Sequence, residues 1–192
     1  MGLHKGVLSS TGVRGWDEHI LKHMKNGFVV LMASCFLGLI APLAISLPFT
    51  PVPIVLQAQT ILCMGALLGP QRGALAVLGF LVQGALGLPV FAGGSSGIVH
   101  LFGPTGGYLM GYLFGALVSG YLFARARKKK ATSKALFLSM AAGNGVIYLL
   151  GWLQLSYFLG MKQAFLLGIL PFIAADLLKL CVFSKLSSSC SS

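Results

Sequence analysis

Acidic residues are almost absent from this chain. Only three occur among 192 residues, Asp17, Glu18 and Asp176, and charged residues of both signs make up just 9%. A soluble domain carries about 25% charged residues. So little charge cannot cover a water-facing surface, and with 56% of the residues hydrophobic the composition fits a bilayer as solvent. Cysteine is scarce too. Cys35, Cys63 and Cys181 lie in apolar runs and Cys190 lies in the tail. No pair has metal-ligand spacing, which argues against a disulfide framework or a metal site and leaves small buried hydrophobes. The sequence contains no Walker A pattern, no metal-ligand cluster and no nucleophile placed with a base. ATP hydrolysis by that motif and enzyme chemistry in general are therefore not expected, nor is a cofactor. A signal-peptide pattern is also lacking, because the first long apolar run starts only at Gly27.

What the chain does have is basic charge in few places. Its net charge is +11, but six of the fourteen basic residues form one cluster: Arg125, Arg127, Lys128, Lys129, Lys130 and Lys134. The cluster separates two long apolar segments. The positive-inside rule accounts for it, and nucleic acid is not expected as a partner.

A helix needs about 20 apolar residues to cross the hydrocarbon core. On that basis the chain divides into a polar arm (1–26), a transmembrane domain of six helices (27–186) and a short tail (187–192). The expected spans are 27–47, 54–69, 74–91, 106–124, 135–159 and 171–185. Three prolines in "PFTPVP", residues 48–53, break the first from the second. "GPQRG", residues 69–73, reads as a polar turn. Twelve basic residues fall on the side of the termini and one, Lys162, on the other. Both termini are thus expected to be cytoplasmic.

The fold class is accordingly an all-α integral membrane protein with a glycine-rich external loop between helices 3 and 4. In that loop, "AGGSSG" (92–97) and "GPTGG" (103–107) flank a short apolar piece containing His100. Bare backbone at membrane level survives only when buried in protein or lining a cavity. Ligand recognition, or a lid over a ligand, and a tight interhelical turn both fit. His100 reads as a structural residue. The small-xxx-small spacings Gly107, Gly111, Gly115 and Ser34, Gly38 suit close internal packing or a docking face. "MKQAFLLGIL", residues 161–170, is either a short helix over the external mouth or an extension of the last span.

Asp176 is the sole acid in the apolar part, and Lys179 follows on the same helical face. A charge at the bilayer centre costs about 2.5–3.5 kcal/mol even on mild insertion scales. Pairing with Lys179 reduces that cost without removing it. The pair is either a structural ion pair or a recognition site for a polar group arriving from outside. The second reading is preferred, because intramembrane ionisable residues mark functional sites. Asn144 and Tyr148, which share a helix face, together with Gln154, Tyr157, Gln57, Gln59 and Gln83, are further polar candidates.

Five motifs occur in order: "PFTPVPIVLQ" (48–57), "GALLGPQRGALAV" (65–77), "GLPVFAGG" (87–94), "GPTGGYLMG" (103–111) and "PFIAADLLK" (171–179). Together they resemble the BioY family, the biotin-binding S components of energy-coupling-factor (ECF) transporters. The resemblance implies a multi-pass protein of the prokaryotic cell (inner) membrane that captures biotin near the outer face. It implies partners as well: a transmembrane coupling protein and two ATPase subunits. By the resemblance, Asp176 and Lys179 take part in biotin binding, and the loop with Gly93 and Gly94 lines the pocket. Phe49, Phe91 and Tyr157 could cover the apolar part of the ligand. Members dock through small residues of the first helix; here "MASCFLGLIAPLA" offers Ser34 and Gly38 rather than an alanine pair. The alternative is a stand-alone or proton-coupled carrier of biotin or a similar vitamin.

Overall fold

The structure, a computed structural model, describes residues 11–41, 43–45, 51–128, 133–173, 176, 177, 179, 180 and 182. It is helical apart from one small ladder. α1 (Thr11–Ile40) is followed by β1 (Ala44–Ile45), which pairs antiparallel with β2 (Ile54–Val55). α2 (Gln57–Leu68) and α3 (Pro70–Ala85) come next, then a 3₁₀ turn (Ala92–Gly94) and the short α4 (Val99–Phe102). α5 (Gly106–Arg127), α6 (Ser133–Leu159) and α7 (Met161–Gly168) complete the continuous elements. Of the last expected span, residues 171–173, 176, 177, 179, 180 and 182 are described, and all are helical.

Among the described residues, α5 and α6 are long and apolar enough to cross a membrane, whereas Met24–Ile40, Gln57–Leu68 and Met161–Ile173 are shorter apolar helices. Several boundaries differ from the sequence expectation: the first helix already starts at Thr11, inside the arm expected over 1–26, and the second starts at Gln57 after a strand at Ile54–Val55 rather than at 54. The first helix stops at Ile40 rather than near residue 47. Pro42 explains this, because a proline disfavours helical geometry in the residue before it. The turn expected over 69–73 shrinks to Gly69 at φ +89°, since Pro70 opens α3 as its first helical residue. The third helix ends at Ala85, not 91, and Gly87 at φ +101° turns the chain away.

Glycine decides how α5 and α6 meet. A Cβ on Gly111 would lie 2.9 Å from Ile147 Cα, and one on Gly115 would lie 3.0 Å from Gly143 O. The partner positions fall in α6 as those in α5 rise, so the two helices run antiparallel in near backbone contact. Ser34 and Gly38 also face inward. Ser34 Oγ accepts from Gln83 Nε2 at 2.9 Å, and a Cβ on Gly38 would meet Val90 at 2.9 Å. Both small-residue stripes are therefore internal packing surfaces, and the docking-face reading of Ser34 and Gly38 is corrected. Ser34 lies against Gly79 and Gly38 nearer Val90, so α1 and α3 run parallel.

These directions sort the charges. A Cβ on Gly120 would lie 2.7 Å from Pro70 Cα, which puts the start of α3 beside the end of α5. Lys25, Arg72, Arg125, Arg127, Lys128 and Lys134 consequently share one end of the bundle. α5 spans about 33 Å at about 1.5 Å per residue, comparable to a hydrocarbon core of about 30 Å.

The α5–α6 contact gives a stability test. Gly111→Val should lower the melting temperature in detergent, because overpacking costs about 1–3 kcal/mol. Gly145→Ala, with nothing within 4 Å of a new Cβ, should leave it unchanged or raise it. Equal destabilisation by both would show that close helix approach is not what Gly111 supplies.

Candidate functional site

At the end of the bundle away from the basic residues lies a cavity of about 380 Å³. Small-ligand sites span about 300–1,000 Å³, so this one suits a compact molecule. The first turns of α5 contribute Tyr108, Leu109 and Tyr112, and the middle of α6 contributes Asn144, Ile147 and Tyr148. Pro51, Val52, Pro53 and Val55 form a second wall. Phe91, Ala92, Ser95, His100, Pro104 and Thr105 come from the loop between α3 and α5, and Phe172 and Asp176 from the last helix.

Asp176 is buried, with 7% exposure. Tyr148 Oη donates to its Oδ2 at 2.5 Å, and Lys179 Nζ donates to its Oδ1 at 3.0 Å. An ionised carboxylate offers about four acceptor positions, so two remain for a ligand. Asn144 Oδ1 is buried and has no hydrogen-bond partner. Leaving a buried polar atom unmatched costs about 1–3 kcal/mol, which makes a facing donor from outside the chain worth having. The Lys179 ammonium already neutralises the carboxylate. The site therefore favours a neutral group rich in N–H donors over a metal cation.

The loop is shaped by its glycines. Gly93, Gly94 and Gly97 have φ of +68°, +77° and +102°, a region open to few other residues. Their conformations present Ala92 and Ser95 to the cavity and seat Phe91 edge-on to Phe80 and His100, with centroids 5.6 and 6.2 Å apart. Gln154 Nε2 donates to Gly103 O at 2.8 Å and Leu101 O at 3.2 Å, tying the second half of the loop to α6.

The structure thus brings Asp176, Asn144, Tyr148 and Phe91 together on one cavity. Lys179 touches Asp176 but is not part of the cavity wall. Gly93 and Gly94 turn the loop rather than line the cavity. Gln83 is turned to Ser34, and Tyr157 is 88% exposed, so neither reaches the cavity. Phe49 lies outside the described residues. Sequence reasoning passed over Tyr108, Tyr112 and Thr105, and it read His100 as structural although it lines the cavity. The i, i+4 spacing of Tyr108 and Tyr112 next to a glycine-rich loop was the available signal.

A family model described as the BioY family matches residues 15–191. Among curated proteins, the chain is 42% identical to the probable biotin transporter BioY of Pyrococcus horikoshii over 135 residues, 70% of this chain and 78% of that protein. It is 41% identical to the biotin transporter BioY of Thermotoga maritima over 155 residues, covering 80% and 89% respectively. Among solved structures it is similar to a crystal structure at 2.1 Å of the S component for biotin from an ECF-type ABC transporter. The TM-score is 0.77 at 26% identity, over 86% of this chain and 89% of that one.

The Gln154 contacts make a prediction that needs no ligand. Gln154→Leu leaves two loop carbonyls without their donor. Amide hydrogen exchange should accelerate across residues 98–105 and stay unchanged in the middle of α5 and α6. Undiminished protection of 98–105 would show that the loop is held by other means.

Proposed function

The chain belongs to the BioY family, and from that premise we propose that it captures biotin in the cavity around Asp176. The relatives are named transporters, and the family is one of transport proteins, not enzymes. The observation that carries the ligand assignment is a pair of acceptors lining one cavity, Asp176 and the unpartnered Asn144 Oδ1. The ureido ring of biotin has two N–H groups, one for each. Hydrogen bonds to a charged acceptor are the stronger kind. Tyr148, already committed to Asp176, fixes the carboxylate. Phe91, Phe172, Tyr108 and Tyr112 suit the apolar thioether ring and chain.

In this reading residues 27–186 form six membrane spans, with the arm 1–26 and the tail 187–192 in the cytoplasm. The opposite placement of cavity and basic residues along α5 supports an outward cavity, since basic ends stay inside. The protein then acts as the substrate-capture subunit of an ECF assembly, with a coupling protein and two ATPase subunits delivering the vitamin inward. The structural relative comes from such a transporter. Ser34 and Gly38 are packed inside, so docking falls to the exposed apolar side of α1, which carries Phe28, Leu31, Met32 and Leu39.

Purified protein should bind biotin without nucleotide. Asp176→Asn should weaken binding more than tenfold, from about 1.5–3 kcal/mol for a bond to a charged group. Unchanged affinity would remove Asp176 from the site. Uptake that collapses with the proton gradient and needs no ATPase would favour a proton-coupled carrier instead.

A further inference from the structure

Lys179 does not line the cavity, yet its ammonium is held at two places. Nζ donates to Asp176 Oδ1 at 3.0 Å and to the backbone carbonyl of Val55, also at 3.0 Å. Val55 lies 124 positions earlier, in β2. With Pro51, Val52 and Pro53 it forms the proline wall of the cavity. One cation therefore joins the acid on the last helix to the backbone of the opposite wall.

That wall gains an anchor from it. Among the described residues the ladder behind it pairs Ala44 with Val55 and Ile45 with Ile54. An isolated two-stranded pairing is marginal at any length. Pro51 and Pro53 have no N–H to donate to a ladder. Downstream, Gln57 Nε2 fixes the start of α2 to Leu37 O at 3.1 Å, which leaves Val55 two residues outside that clamp. The Lys179 side chain is only 18% exposed, so its bond to the Val55 carbonyl is poorly screened and water competes with it weakly.

We propose that Lys179 is a positioning residue that fastens the proline wall, residues 51–55, to the last helix and so retains whatever Asp176 holds. The identity of the retained molecule rests on the biotin reading above; the fastening itself does not. Such a residue governs escape more than entry. A residue that bonded the ligand directly would leave the mobility of the wall untouched.

Two measurements on detergent-solubilised full-length protein separate these roles. The first is ligand-free hydrogen exchange at Ile54, Val55 and Leu56. In Lys179→Met, exchange there should be about tenfold faster, the scale of losing a bond to a charged donor. α5 and α6 should be unchanged, and Lys179→Arg, which keeps a donor, should restore most of the protection. If Lys179→Met does not fold, Lys179→Gln replaces it. In Asp176→Asn these amides should stay protected even though biotin binding is weakened. The second is biotin kinetics, where Lys179→Met should raise the dissociation rate about tenfold and change association far less. Unaltered exchange at the proline wall in Lys179→Met would overturn the proposal. So would an association rate that falls as far as dissociation was expected to rise. If wild-type protein fails to bind biotin, the functional reading falls, and the exchange comparison still decides the role of Lys179.

Discussion

A carboxylate at 7% exposure inside an apolar bundle is the constraint to which the rest of this structure answers. Taking such a group out of water costs several kcal/mol, and a single counter-ion seldom repays it. Asp176 is met from two directions, by the Tyr148 hydroxyl on Oδ2 and the Lys179 ammonium on Oδ1. Both partners are themselves placed by other contacts, Tyr148 by the α5–α6 packing and Lys179 by the Val55 carbonyl. The remaining acceptor positions open into the cavity, beside an amide oxygen with no partner. In the function proposed here, a ligand with paired N–H groups would complete a network that the chain leaves incomplete.

The helix packing builds the cavity that those acceptors line. Antiparallel α5 and α6 approach through Gly111, Gly115 and Gly143, which sets Tyr108 and Tyr112 against Asn144, Ile147 and Tyr148. A larger residue at Gly111 would push the two walls apart as well as loosen the bundle. Tyr108 adds a further tie, donating to Gly168 O at 2.8 Å and holding α7 against the core. The helix bends at Ile169 and resumes at Leu170, so the stretch 161–170 leads into the last helix through a bend rather than straight. The same helix directions collect the basic residues at the far end. One packing arrangement therefore fixes both the cavity and the end of the bundle at which it opens.

Much of this was legible in the sequence, for identifiable reasons. Asp176 stood out because one acid in an apolar region has no bland explanation by composition. Asn144 and Tyr148 were legible because a four-residue spacing puts them on one helix face. Contacts set by distant parts of the chain were not. Gln83 looked available until Ser34, 49 positions away, proved to be its partner. Tyr157 carried the same chemistry as Tyr148 but sits on the exposed side of α6. His100, Tyr108 and Tyr112 were hidden because a lone histidine and membrane-edge tyrosines usually have structural roles. Helix ends went astray where single residues overrule hydropathy, as Pro42, Pro70 and Gly87 do. The glycines of residues 92–97 stood out in the sequence, yet it is their neighbours Ala92 and Ser95 that reach the cavity.

The chain contains only two aspartates, Asp17 and Asp176, which makes the central claim directly observable. Protein labelled with ¹³C at the aspartate carboxyls can be followed by difference infrared spectroscopy as biotin is added. An ionised Asp176 accepting new hydrogen bonds predicts a shift in its carboxylate bands at saturation, with no protonated carboxyl band, and loss of the shift in Asp176→Asn. Carboxylate bands that stay unmoved while biotin binds would contradict the account.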